Sequence, residues 1–539
     1  MRRTNSLLLL IALVLILVIF GTRILRDYYG ASSSPSEAKN MEKLQDVVKY
    51  ISRYYVDDVD WKKPTESAIE AMLSELDPHS VYITPEEALA NEENFEGHYQ
   101  GIGIQYDVID DTLTVIAPIP ESPSDKLGLM AGDKIIEIDE ESAIGISNNE
   151  VQKRLKGEKG TSVKVKILRP PQNTENDFTI VRDEIPIFTI NSYFMANDST
   201  GYIFLSRFAK TTEEELENAL SELEEKGMRH LILDLRSNAG GYLDQAVKVS
   251  AKFIEGHKKI VYTKGRLDRF DEEYYADSFG SGVVRFYPMI VMINEGSASA
   301  SEIVAGAIQD YDRGLIIGKG SFGKGLVQRE FPLPDSSILR LTISKYYTPS
   351  GRLIQRPYKG KKVEDYYLDR FSTDSVKSDT TGEQPVYYTK GGRIVYGGGG
   401  ITPDTVIEYE SQLRNAEILQ EMVNARVFFD VAARFASRHQ DMKNDFDRFR
   451  HEFKVNRFMI DEMVKIARKK GVDLTPEDVT ANRLYFETRL KAEIARSLWD
   501  TSSYYQIILE IDNQFQAALT LFSEANRILG LPRNTTVKQ

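Results

Sequence analysis

The sequence predicts an α/β multidomain chain with an N-terminal helical segment, an inserted β-rich module, an α/β core and a C-terminal helical domain. Three observations predict it. Apolar, β-rich runs at 201–208, 230–235 and 288–293 are joined, between the first two, by the charged amphipathic stretch Glu213–Lys226, which is a βαβ pattern. Short strand-like runs punctuated by glycine crowd residues 98–182, and helical spacing of apolar residues dominates the regions on either side of the β-rich module and core.

The 539 residues are enough for roughly three or four domains. Residues 1–30 read as a signal peptide or signal anchor, because Leu7–Phe20 is 14 consecutive apolar residues behind Arg2 and Arg3. Cleavage near Gly30-Ala31-Ser32 releases the chain, whereas retention tethers it through residues 7–22. Either fate exports it, and the basic flank places the remainder on the periplasmic or extracytoplasmic side. Residues 40–97 form a helical region, with Leu44, Val47, Val48 and Ile51, then Ala68, Ile69, Met72, Leu73 and Leu76, at helical spacing.

The module at 98–182 opens with the strand start Gly101-Ile102-Gly103-Ile104. It continues through a strand at 112–117, a helix at 122–129, a strand at 135–138, a helix at 147–155 and a last strand at 162–168. The core occupies 183–410, with a polar insert near 359–399 that contains the low-apolar stretch Ser372–Gln384 and a glycine-rich hairpin before Gly400. Residues 411–539 are helical. Ile418 to Phe435 mark one amphipathic helix and Ile508 to Phe522 another; such stripes pack a core, bind an adaptor, build an oligomer or cover the β-rich module. A net charge of −13 argues against general nucleic-acid binding, and the absence of cysteine removes disulfides and thiol chemistry.

Chemistry concentrates in Asn294-Glu295-Gly296-Ser297-Ala298-Ser299-Ala300-Ser301-Glu302-Ile303, where a strand delivers small hydroxyl residues to the start of a helix. A serine at such a junction is held exposed, with helix-start N–H groups aimed at a developing negative charge. None of the six histidines falls near it or in a catalytic pattern, so the base must be another residue. Lys324 lies between glycines beside Phe322 and Leu326, where an apolar setting lowers an amine from about 10.4 toward the ~7–8 a base needs. The run after it reads as a strand, so period-two alternation puts Lys324, Leu326 and Gln328 on one face, with the Gln328 amide placed to hold the amine.

The segment Glu295–Gln309, the turn Phe322–Gly325, Gln328 and Asp234-Leu235-Arg236-Ser237-Asn238-Ala239-Gly240-Gly241 closely resemble the carboxyl-terminal processing, or tail-specific, proteases. The resemblance implies a serine-lysine endopeptidase: Ser299 rather than Ser297 or Ser301 as nucleophile, Lys324 as base and Gln328 as its helper. It also implies an oxyanion hole from Gly240, Gly241 and the N–H of Ala300. Ala239 stands where that family usually has proline. The order of elements at 98–182 resembles a PDZ domain, and the same module occupies this place in the family. It implies capture of a polypeptide C-terminus at Gly101, Ile102, Gly103 and Ile104 by strand addition and a nest of N–H groups.

His79, in Leu76-Asp77-Pro78-His79-Ser80, and Asp310 read as structural. Gly318-Lys319-Gly320-Ser321-Phe322-Gly323-Lys324-Gly325 also satisfies most of a phosphate-loop pattern. Gly325 stands where a magnesium-binding hydroxyl belongs, and a strand rather than a helix follows. The function expected is cleavage of exported polypeptides with accessible C-termini, without metal or other cofactor; an adaptor or activator and a homo-oligomer are compatible with the chain. The alternative is a non-catalytic PDZ scaffold that binds such tails.

Overall fold

The structure, a computed structural model, describes residues 35–170, 173–280, 282–369, 384–409 and 413–530. The anchor at 7–22 and most of the polar insert at 372–384 lie outside these residues, and among the described residues no helix is long and apolar enough to cross a membrane. The chain divides into two compact units, 1–72 and 73–539. In the first, helix Pro35–Tyr54 carries the apolar spacing predicted for it, and a second helix begins at Lys62.

The second unit is built on a six-stranded sheet in the order Ile190–Met195, Thr200–Leu205, His230–Asp234, Met289–Ile293, Leu315–Gly318, Thr405–Val406. The first pair is antiparallel and the rest are parallel. Helix Thr212–Glu225 makes the predicted crossover between the second and third strands. A parallel sheet must be covered on both faces, which is why Met289–Ile293 is apolar throughout. One face packs on Leu216, Leu220, Val247 and Val304 from the core's own helices. Leu509, Phe515 and Phe522 of the C-terminal helices cover the other. The apolar stripe near the C-terminus is therefore part of this sheet's core.

A second, antiparallel sheet joins Val81–Ile83, Ile338–Tyr347, Lys259–Gly265 and Glu273–Tyr275, with Leu326–Pro332 on Ile338–Tyr347. The PDZ-like module is a separate sheet in the order Ile104–Ile109, Thr112–Pro118, Lys134–Ile138, Ser162–Arg169, Thr174–Val181. Its entering strand His98–Gly101 pairs with its leaving strand Asp183–Pro186, which clasps the insertion at its base.

Four expectations need correction. The module does not end at the strand after Ser162: Thr174–Val181 returns antiparallel to it, and its mixed polar alternation hid it. The helix expected over 122–129 is only Pro123–Lys126. The single helix expected from Ile418 to Phe435 is two, Ala416–Asn424 and Val427–Arg438, because Arg426 takes a positive φ of 54° between them. The stripe from Ile508 to Phe522 is likewise broken into Thr501–Ile508, Asn513–Thr520 and a helix beginning at Phe522. Apolar spacing persists across a break, so periodicity alone does not reveal it.

Candidate active site

Ser299 sits between strand Met289–Ile293 and helix Ala300–Asp310 with φ 55° and ψ −113°. For a residue with a side chain this backbone costs about 1–3 kcal/mol and persists only when the surroundings impose it. They do. The Ser299 N–H donates to the Glu302 carboxylate at 2.9 Å, the Ala298 N–H to the Asn238 carbonyl at 2.9 Å, and the Tyr346 hydroxyl to the Ser299 carbonyl at 3.1 Å.

The three serines of the cluster are then distinguished by their hydroxyls. Ser297 and Ser301 are fully buried, and their hydroxyls donate to the carbonyls of Leu235 and Asn238, each at 2.8 Å. Ser299 is partly exposed, and among the described residues its hydroxyl donates to no carbonyl; it stands at the helix start in a capping box with Glu302.

Gly240 lies against this serine. A Cβ there would be 2.8 Å from Ser299 Cβ and 3.0 Å from the Ala300 nitrogen, and φ is +101°. Only glycine fits. Its N–H, however, donates to Asn238 Oδ1 at 2.9 Å, so Gly240 is not an oxyanion donor in this arrangement, contrary to the expectation. The N–H groups of Gly241 and Ala300 have no acceptor among the described residues. Asn238 does the work proline would do at position 239: fully buried, it also donates to the Leu205 carbonyl at 2.8 Å and so pins the loop.

Lys324 is half-buried, and its Nζ donates to Gln328 Oε1 at 2.8 Å. Gln328 Nε2 in turn donates to the His79 carbonyl. The partnership is the one predicted, but the strand's register shifts between Val327 and Gln328, so simple alternation is not what creates it. Burial, helped by Arg340, lowers the Lys324 amine to about 8, while Glu302 and Asp77 pull it upward. Among the described residues no hydrogen bond joins Lys324 Nζ directly to Ser299.

What joins their backbones is Glu302, which the sequence reading missed. Its carboxylate is fully buried and accepts from the N–H of Ser299 (2.9 Å), Gly323 (2.7 Å) and Lys324 (2.9 Å), and from the Ser321 hydroxyl. Burial pushes its pKa up; these donors hold it down. The same contacts dispose of the phosphate-loop pattern, because the amides of Gly323 and Lys324 are spent on this carboxylate and a strand, Leu326–Pro332, follows. The signal was present as Ser299-x-x-Glu302, a capping-box spacing.

The structural readings of His79 and Asp310 fit their surroundings. Asp77 accepts from the N–H of His79 (2.9 Å) and Ser80 (3.0 Å), fixing the carbonyl that Gln328 uses. Burial first, then Lys324, lowers the His79 imidazole to about 3, and its two nitrogens face the hydroxyls of Tyr366 and Tyr367. Asp310 pairs with Arg352 at 2.8 Å in a fully buried ion pair.

In the PDZ-like module Ile102 and Gly103 form an open loop whose carbonyls accept from Ser124 and Ser122, while their N–H groups have no acceptor among the described residues. Ile104 starts the sheet's edge strand. Gly101 belongs instead to the clasp, paired with Asp183. Among the described residues no group of three or more His, Cys, Asp or Glu is arranged to hold a metal.

Comparison with known proteins gives matches along much of the chain. Residues 199–364 match Peptidase family S41, 100–180 match the PDZ domain, 26–87 match the N-terminal domain of the activating protease CtpB, and 418–500 match a family of unknown function. The carboxy-terminal processing protease CtpB of Bacillus subtilis is 35% identical over 344 residues, 62% of this chain and 71% of that protein. A carboxy-terminal-processing protease of Bartonella bacilliformis is 38% identical over 325 residues, 59% and 73% respectively. A solved photosystem II D1 C-terminal processing protease is 26% identical, covering 68% of this chain and 86% of its own, with a TM-score of 0.33.

Proposed function

Because the chain belongs to the carboxy-terminal processing proteases of peptidase family S41, we propose that it cleaves exported polypeptides through a Ser299–Lys324 dyad after holding their C-termini on the PDZ-like module. The observation that carries the dyad is Glu302: one buried carboxylate binds the backbone N–H of both residues and so ties nucleophile and base into one rigid seam.

Neutral Lys324 Nζ takes the proton from Ser299 Oγ as the oxygen attacks the scissile carbonyl. The N–H groups of Gly241 and Ala300 receive the negative oxygen, and Gln328 holds the amine. Collapse expels the new amino terminus, which takes the proton back from Lys324. Water then attacks the acyl-serine with Lys324 again as base, and Ser299 is regenerated. The tail adds as a strand to the free edge of Ile104–Ile109, its carboxylate on the N–H groups of Ile102 and Gly103. The domain divisions of the sequence reading, export with residues 7–22 as anchor, and control by an adaptor or activator are part of the same proposal.

The test is mass spectrometry of a disordered polypeptide with an apolar C-terminus, incubated with the chain and with its Ser299→Ala variant. Fragments made by the parent and not by the variant are expected. Stoichiometric binding by both without cleavage would favour a scaffold instead.

A further inference from the structure

A cavity of about 1000 Å³, within the range of ligand sites, lies between the PDZ-like module, the core and the C-terminal helical region. Ile102 and Ile104 line it from the module, and Arg207 from the core. The opposite wall comes from the C-terminal helical region, through Ser437, Lys443 and Trp499.

That wall is fixed on both sides. Phe429 and Ala433 pack on Ile109 and Ile116 of the module, and Arg426 pairs with Asp107 at 2.7 Å. On the core side the Ser502 hydroxyl meets that of Ser192 at 3.1 Å. One lining residue, Arg207, adjoins the segment that bonds the active-site loop. Arg207 donates to Asn94 at 2.9 Å and has no ion-pair partner among the described residues, while its neighbour Phe208 bonds the Gly240 carbonyl at 3.0 Å.

We propose that the C-terminal helical region is part of the tail-binding site. An extended peptide with a free α-carboxylate and an apolar last residue lies in this chamber, its terminus on Ile102–Ile104 and its upstream residues against Ser437, Lys443 and Trp499. The helical region thereby selects among tails, passing only those that fit between it and the module. This rests on the tail-recognition reading above. It is carried by three features that converge on one cavity: an unpaired strand edge, unspent N–H groups at that strand's start, and a wall from another part of the chain held in register by Arg426.

Trp61 and Trp499 are the chain's two tryptophans, so the full chain carrying Ser299→Ala and Trp61→Phe reports from the chamber alone. The probe is a short flexible peptide ending in a free leucine carboxylate, with p-bromophenylalanine upstream, alongside its amidated twin. Affinity is measured by calorimetry and contact by heavy-atom quenching of Trp499. Binding that depends on the carboxylate and quenches Trp499 is the expected result. Adding Ser437→Arg, which projects a long side chain into the cavity, should weaken that binding about tenfold or more. Carboxylate-dependent binding with unchanged Trp499 emission, or with unchanged affinity in the Ser437→Arg variant, overturns the inference and leaves tail recognition standing. Binding indifferent to the carboxylate overturns tail recognition and this inference with it.

Discussion

Around Ser299 the buried polar groups are spent on one another, with Glu302, Asn238 and Asp77 each accepting or donating several bonds, whereas at Ile102, which lines the cavity, and at Gly103 the amide hydrogens have no acceptor among the described residues. Both regions are loops at the end of a strand. The difference follows from what each must meet. A reacting carbonyl has one geometry, so a strained serine is over-determined by its neighbours; a polypeptide tail supplies its own backbone hydrogen bonds, so donors are left for it. On the proposed function, rigidity belongs to the chemistry and unspent donors to recognition of the tail.

That contrast can be broken most severely at the base. Lys324→Arg keeps a cation but removes a deprotonatable amine, so kcat/KM should fall by about 10³ or more while tail affinity stays near that of the parent. Peptide cleavage and calorimetry in parallel decide this; substantial residual cleavage would sink the assignment of Lys324.

Glu302→Gln comes next. One amide oxygen cannot accept all the bonds that a fully buried carboxylate does, so stability in denaturant titration should fall by about 2–4 kcal/mol. Ionised Glu302 raises the Lys324 pKa, so the variant's activity profile should also move to lower pH; an unmoved midpoint would mean the carboxyl is already neutral.

Gly240→Ala drives a methyl to 2.8 Å from Ser299 Cβ at a positive φ. A loss of about 1–3 kcal/mol in stability and a larger loss in kcat than in KM are expected. Normal turnover would show that the loop has room to spare.

The smallest effect concerns pH alone. The folded Lys324 amine titrates near 8, below its ordinary range, so the neutral form grows as pH rises and activity should climb through about pH 8 and then level off. Arg340→Ala removes a repelling cation, which raises that pKa and moves the climb to higher pH. A profile flat from pH 5 to pH 9 would contradict Lys324 as base.

Much of this site was legible because its chemistry is local. The strand-turn-helix at Ser299, the glycines around Lys324 and the glycine pair after Asn238 are short patterns whose backbone demands show in the residue types themselves. Glu302 was missed because a glutamate in a first helical turn is ordinary; only folding, which buries it and brings residues 321–324 to it, makes it a hub. Gly240 was misread as a donor because a glycine pair reveals that the backbone comes close, but not which N–H a buried asparagine has taken.

The sequence by itself determined the layout of the chain and the side chains proposed for the chemistry: a βαβ core, an inserted β-rich module, helices on either side, and a serine and a lysine at turns. These follow from periodicity and from glycine, which act over a few residues. Tertiary structure decided which of three serines keeps a usable hydroxyl, which amides remain free, and that the C-terminal helices cover one face of the catalytic sheet and wall the module's groove. Each of these depends on burial and on partners far away in the chain, and a linear pattern carries neither.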